Sequence, residues 1–268
     1  ADRYPDRIRL FLHRRENNIK VHGRPTPNFQ WNYTRFMARG KYIAICEGDD
    51  YWTDPLKLQK QVDFLEANPE YVLSHHDASI VDEEGSLRKE SKLPDRRKRD
   101  FSSHELMRGH FLLTLSLCFR NVIKVYPENF FKVLNSDLFI ISLLGQYGKG
   151  HYQKEVSPAV YRRHNTSMWS STCRSLKAKA RSGTIKQLHT YYSNLDKNVS
   201  SYLSERYINS REYVCYTKIW ETDYKKAFLE WTIIVRKRIK ENEYTKAISF
   251  TLSAAHVMMG HLNKRLIK

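Results

Sequence analysis

An apolar strand that runs straight into a cluster of carboxylates constrains the fold of this chain more than any other feature. Residues 42–46 read YIAIC, and Glu47, Asp49 and Asp50 follow directly. Carboxylates this close repel one another and raise one another's pKa unless a cation or a ligand compensates. In open α/β sheets, ligands bind beyond the carboxyl ends of the strands. These carboxylates therefore either hold a ligand at such an end or form a solvated acidic turn, which is also common at strand ends.

The order of the predicted elements indicates an α/β domain followed by helices. Apolar runs and alternation predict short strands at residues 8–13, 42–46, 71–75, 78–81, 112–119 and 156–161. Helical spacing predicts helices at residues 28–38, 55–65 and 137–144. Residues 82–100 are highly charged and predict an exposed loop, and strand signals disappear from about Cys173. The sequence thus predicts an α/β domain over residues 1–172 and a helical region over residues 173–268.

The net charge of the chain indicates which class of binding partner to expect. The chain has 46 Lys and Arg residues against 29 Asp and Glu residues, a formal net charge of +17. Such an excess favours an anionic partner, either nucleic acid, an acidic membrane leaflet or a phosphorylated substrate. The four cysteines are far apart and form no CxxC pair, which fits a reducing compartment and argues against a zinc ribbon or a disulfide scaffold. No apolar run approaches the ~18 residues of a membrane span.

The segment that follows the acidic cluster resembles the family 2 glycosyltransferases, which have the GT-A fold. That family is marked by a strand ending in an Asp-x-Asp-type motif, then an aromatic residue, then a Pro-led helix with a Leu-x-x-Gln pattern. This chain has EGDDYW at residues 47–52, Pro55, and LQKQ at residues 58–61, with Glu47 where the family has Asp. The resemblance implies a GT-A-like (Rossmann-like) mixed sheet flanked by helices, with a C-terminal helical extension.

In that family the acidic motif binds a divalent metal and the diphosphate of a nucleotide-sugar donor. The resemblance therefore implies Mn²⁺ or Mg²⁺ as cofactor, with Asp49 as metal ligand and with Glu47 and Asp50 in the donor site. Asn32, on the helix ahead of the motif, is expected to help bind the donor or else to be a polar residue at the helix surface. Trp52 is expected to stack on an acceptor sugar, although aromatic rings more often belong to a core.

The stretch LNSDL, which ends at Leu138, resembles the family's acidic helix start, where a carboxylate serves as catalytic base. The family usually has an acidic pair here, and Ser136 stands in place of its first member. A base is required because the acceptor hydroxyl must lose its proton as it attacks the anomeric carbon. The resemblance assigns this role to Asp137, whereas the residue type and position alone favour a helix N-cap.

A third match is the stretch YRRHNTS at residues 161–167, which resembles a Tyr-Arg-x-His pattern beside the active site of the family. Arg162 or His164 is expected to stabilise the departing diphosphate, or His164 to join the metal shell. The alternative is a basic loop in contact with solvent.

Together these matches predict an inverting, metal-dependent glycosyltransferase of bacterial surface-polysaccharide assembly. It would transfer a sugar from a UDP-linked donor to a glycan or a lipid-linked acceptor in the cytoplasm. The basic runs at residues 236–240 and 264–265 are expected to contact the anionic inner face of the plasma membrane, or else to form solvated helix faces.

Two other functional classes stay open. The family's first strands, which grip the nucleotide base, are not recognised ahead of Ala1, so the domain is expected to be incomplete at its N-terminus. An inactive remnant that acts as a binding scaffold is therefore the second hypothesis. A nucleic-acid-binding module is the third, although the positive charge is scattered and no specific nucleic-acid-binding motif is recognised.

Overall fold

The computed structural model describes residues 6–21, 24–25, 28–164 and 172–266 of the chain. Within these residues, a part of mixed α/β structure is followed by four long helices. The broad expectation of an α/β fold with a helical C-terminal region is therefore confirmed.

The strands are short, and seven of the nine that lie in the described residues form two mixed sheets. In chain order they are β1 (Lys20–Val21), β2 (Arg24–Pro25), β3 (Tyr42–Ala44), β4 (Tyr71–His75), β5 (Ala78–Val81), β6 (Leu87–Lys89), β7 (Cys118–Arg120), β8 (Lys149–Tyr152) and β9 (Ala159–Arg162). The first sheet has the order β3-β7-β4-β8, in which β4 and β8 are parallel and the other pairs antiparallel. The second has the order β6-β5-β9, in which β5 and β9 are parallel.

Eight α-helices lie in the described residues, and the last four form the C-terminal helical region. They are α1 (Asn28–Phe36), α2 (Lys57–Ala67), α3 (Ser103–Met107), α4 (Ser136–Leu144), α5 (Arg174–Tyr192), α6 (Lys197–Trp220), α7 (Tyr224–Lys240) and α8 (Tyr244–Leu266). Two of the later helices start at an Asp whose side chain caps them: Asp196 accepts from Val199 N at 2.9 Å, and Asp223 accepts from Lys226 N at 3.3 Å. Each bond satisfies one of the free N–H groups of a first helical turn.

Helix α4 lies at the centre of the core. Residues 138–144 are all buried, which is the pattern of a helix that has no face in water. Its side chains belong to one apolar cluster with residues of β4, β7, α5 and α6, among them Leu73, Phe119, Leu188 and Leu203. Each fully buried aliphatic side chain contributes roughly 1.5–3 kcal/mol. The start of α4, where Asp137 lies, is therefore held by the core.

Three predicted elements differ from the structure. Residues 8–13 form no strand, because no neighbouring strand in the described residues pairs with their alternating pattern. The predicted strand at 112–119 begins only at Cys118, since the buried residues of Thr114–Ser116 form a 3₁₀ turn instead. The charged segment 82–100 is not one exposed loop: it contains β6, and Leu93 is only 2% exposed.

Arg238 of α7 connects three helices of the C-terminal region by hydrogen bonds and ion pairs. Only 2% of its surface is exposed, although it belongs to the basic run that was expected to face a membrane. Its Nη1 donates to Glu205 of α6 at 2.7 Å and to Glu243, next to α8, at 2.6 Å. Its Nη2 donates to Asn209 at 2.8 Å and to Glu212 at 3.1 Å. Arg238 is thus a structural residue of the helical region.

We expect Arg238→Ala to lower the free energy of unfolding by about 2–4 kcal/mol, because it leaves three neighbouring carboxylates without their shared cation. Urea unfolding followed by circular dichroism measures the change. Arg236→Ala is the matched control, since Arg236 lies two positions away on the exposed side of α7. We expect Arg236→Ala to change the free energy of unfolding by no more than about 0.5 kcal/mol. Equal losses in the two variants would show that the contacts of Arg238 do not stabilise the helices.

Candidate functional site

The acidic turn, residues 47–50 after β3, is joined to β9 by backbone hydrogen bonds of the next residue. Asp50 N donates to Glu47 O at 3.1 Å, which closes the turn. The next residue, Tyr51, forms an antiparallel bridge with Val160, with N–O distances of 2.8 and 3.2 Å. The strand therefore brings its carboxylates to the end of β9, where Arg162 is the last residue of the strand and His164 follows it.

Asp50 is buried and Glu47 is half-buried, and each has one carboxylate oxygen without a hydrogen-bond partner among the described residues. Asp50 is 9% exposed, and its Oδ1 accepts from the backbone N of Arg162 at 2.9 Å. Its Oδ2 and the Oε2 of Glu47 are buried without a hydrogen-bond partner among the described residues. Burial, together with the nearby charges of Asp50, Asp137 and Asp49, raises the pKa of Glu47 to about 7. Burial and the neighbouring Asp49 raise the pKa of Asp50 to about 6, although the Arg162 N–H and the charge of Lys92 oppose the shift.

Asp49 is exposed and meets the segment that follows β9. His164 Nε2 lies 2.9 Å from Asp49 Oδ2, so the two side chains form an ion pair when the imidazole is protonated. A carboxylate and an imidazole side by side are both able to ligate a divalent cation. The rest of the predicted YRRHNTS match, residues 165–167, lies outside the described residues.

Asp137 approaches the same site from α4. It lies in the first turn of that helix but is not its N-cap, because Asn135 occupies that position. Thr114 Oγ1 donates to Asp137 Oδ2 at 3.4 Å. Burial raises the pKa of Asp137, and its own negative charge contributes to the raised pKa of Glu47. The structure therefore brings the candidate base into electrostatic contact with the acidic turn.

Two cations border the carboxylates, and only one of them was predicted. The guanidinium of Arg162 donates to Glu83 O at 3.1 Å, so Arg162 reaches Asp50 through its backbone N–H. Lys92, between β6 and α3, places its Nζ 3.6 Å from the centroid of the Tyr161 ring. Because residues 82–100 are highly charged, they were predicted to form an exposed loop. Lys92 was therefore not recognised as a candidate site residue. The apolar pair Leu93-Pro94 inside that segment was the available signal that it is anchored.

Two predicted site residues make other contacts. Asn32 is buried on α1, and its Oδ1 accepts from Arg35 Nη2 at 3.3 Å; no described contact joins it to the carboxylates. Trp52 uses its indole N–H to donate to Leu115 O at 2.8 Å, and its ring lies 4.3 Å from the Nζ of buried Lys57. The Trp52 side chain therefore packs against other parts of the fold through these two contacts.

The acidic turn suits an oxygen-preferring cation only if a ligand completes the site. In the part of the chain that the structure describes, no three or more His, Cys, Asp or Glu side chains group closely enough to hold a metal ion. Mg²⁺ is usually held by one or two carboxylates, with waters and substrate phosphates filling the other positions. The unpartnered oxygens of Glu47 and Asp50 match that partial set.

We expect Glu47→Gln to raise the free energy of unfolding in metal-free buffer at pH 8 and to leave it nearly unchanged at pH 5. The pKa of Glu47 is about 7 in the folded protein against 4.5 ordinarily, so the folded state keeps the proton at pH 5. Stability is lost as the pH rises from about 4.5, where the unfolded state releases this proton, to about 7, where the folded state must release it and bury a charge.

Urea unfolding at both pH values, with a chelator present, measures the difference. Glu83→Gln is the control, because Glu83 is exposed and should respond at neither pH. If Glu47→Gln raised the free energy of unfolding by the same amount at pH 5 and at pH 8, the result would contradict a raised pKa of Glu47.

Comparison with known proteins gives relatives but no family. No family model matches the chain. An uncharacterized protein of Mycobacterium bovis and one of Mycobacterium tuberculosis are each 37% identical to it over 172 residues. The match covers 64% of this chain and 46% of each relative, so the chain spans about half the length of the curated relatives it matches.

Proposed function

We propose that the chain contains the catalytic site of an inverting, metal-dependent glycosyltransferase of the family 2 type, built on a GT-A-like sheet. The observation that carries this proposal is the convergence of Glu47, Asp49, Asp50 and Asp137 on one site, where two carboxylate oxygens are buried without partners. Burying carboxylates in this way is costly unless a cation compensates. A cation that also binds a diphosphate accounts for both the crowding and the incomplete ligand set.

The donor in this proposal is a UDP-sugar. Asp49 would hold Mn²⁺ or Mg²⁺, with Asp50 and Glu47 beside it, and His164 orients Asp49 through their 2.9 Å contact. A divalent cation bound there supplies Lewis-acid compensation for the charge of the departing diphosphate. The backbone N–H of Arg162 binds Oδ1 of Asp50, and Oδ2 has no hydrogen-bond partner among the described residues.

Asp137 is the general base of the proposed reaction. It takes the proton of the acceptor hydroxyl while that oxygen attacks the anomeric carbon and forms the new glycosidic bond. The bond from the anomeric carbon to the diphosphate oxygen breaks on the opposite face, its electron pair leaves with UDP, and the configuration inverts. The raised pKa of Asp137 makes it a stronger base than an exposed aspartate, and Thr114 orients it.

The acceptor is a glycan or a lipid-linked sugar of a bacterial surface polysaccharide, and the enzyme works at the cytoplasmic side of the plasma membrane. In the described residues, no helix is long and apolar enough to cross a membrane. Peripheral contact is supported by the exposed Arg236 and Lys240 and by apolar residues that α7 and α8 leave in solvent, among them Phe228, Leu229, Ile248, Leu252 and Met259. Co-sedimentation with anionic vesicles, compared with neutral vesicles, tests this contact.

We expect Asp137→Asn to reduce sugar transfer by about 10²–10⁴-fold without weakening UDP binding, because the amide accepts no proton. Transfer is measured as UDP release from a panel of UDP-sugars, with a membrane extract as the source of acceptor.

Asp63→Asn, at an exposed position of α2, is the matched control and should leave both quantities unchanged. Transfer by the Asp137→Asn variant at the wild-type rate would exclude Asp137 as the base.

A further inference from the structure

The backbone around Lys92 is held by hydrogen bonds to the start of β5. Ser91 Oγ donates to Asp77 Oδ2 at 2.5 Å, and Leu93 N donates to Asp77 Oδ1 at 2.8 Å. Between them, Lys92 N donates to Ala78 O at 2.6 Å. Leu93 is also buried in an apolar cluster with Ala78. Three consecutive residues are thus fixed, and a single carboxylate, that of Asp77, holds both neighbours of Lys92.

This anchor directs the Lys92 side chain toward the acidic turn. Its ammonium lies 3.6 Å from the centroid of the Tyr161 ring, one residue before Arg162, whose N–H binds Asp50. Burial lowers the pKa of Lys92, and the charges of Asp50 and Glu47 oppose that shift only in part. In the described residues, Lys92 Nζ makes no hydrogen bond or salt bridge to a carboxylate. The site therefore contains a partly desolvated cation that is near the carboxylates but not paired with them.

Lys92 is half-buried, and a partly desolvated ammonium that lacks a paired anion costs free energy. An anion bound in front of it removes the penalty. Because the neighbouring carboxylates would be occupied with a cation, the anion that fits is one that bridges a divalent cation and an ammonium. Phosphate oxygens do this, and Lys binds them as a point charge.

We propose that Lys92 binds the diphosphate of the donor. Its ammonium and the divalent cation would together compensate the negative charge that develops on the diphosphate as UDP leaves. This inference rests on the proposed function, because it assigns a second contact to the same donor. Asp77 acts as a positioning residue, since it touches the backbone and side chain of the residues beside Lys92 and not the donor.

The test is calorimetric titration of UDP, in saturating Mn²⁺, into the wild type and into Lys92→Met, Lys92→Arg and Lys89→Met. Loss of one charged hydrogen bond should weaken UDP binding about 10–100-fold in Lys92→Met. Lys92→Arg should restore most of the affinity because it keeps the charge. Lys89→Met, at an exposed position of β6, should bind as the wild type does.

The outcomes separate this inference from the proposed function. If the wild type binds UDP and Lys92→Met binds it equally well, Lys92 is not a diphosphate ligand. If Lys92→Met loses affinity together with its melting temperature, and Lys92→Arg restores neither, Lys92 is structural and the inference is overturned. If the wild type binds no UDP in the presence of Mn²⁺, the proposed function fails and takes this inference with it.

Discussion

The antiparallel bridge between Tyr51 and Val160 is the contact on which the rest of the site depends. It joins the acidic turn to β9, so that Asp50 meets the N–H of Arg162, 112 positions away along the chain. The same alignment brings Asp49 to His164. Closing so long a loop costs conformational entropy, which the packing of a core can offset. Helix α4 belongs to that core, and its first turn supplies Asp137 at the same place.

Under the proposed function, the charges of the site suit a bound state better than the free protein. Glu47 and Asp50 have raised pKa values because they are buried beside other carboxylates, while burial lowers the pKa of Lys92. In the ligand-free protein, burial therefore disfavours the charged form of each group relative to the same group in water. In the proposed bound state, a divalent cation together with a diphosphate would compensate all three at once. Such a bound state would explain why the fold holds opposite charges close together although Lys92 does not pair with a carboxylate.

Local patterns predicted some of this arrangement, and long-range contacts decided the rest. Glu47, Asp49 and Asp50 could be found from the sequence because a strand and its following turn are adjacent in the chain. Lys92 could not, since its position depends on hydrogen bonds to Asp77 and Ala78 that no local pattern encodes. The mostly apolar residues 112–119 suggested a strand, but Leu112, Leu113, Leu115 and Leu117 are buried in a 3₁₀ turn and its flanks, and the strand begins only at Cys118. Likewise, the basic run 236–240 gave no sign that Arg238 turns inward to three glutamates.

The central claim is that the acidic turn holds a divalent cation and the diphosphate of a nucleotide-sugar. The most direct measurement is calorimetric titration of UDP into the wild type and into Asp49→Ala, each with Mn²⁺ and with a chelator. We expect binding by the wild type that requires Mn²⁺ and that is lost in Asp49→Ala, while Asp63→Ala binds normally. UDP binding that is indifferent to Mn²⁺ and to Asp49, or no binding by the folded wild type, would contradict the claim.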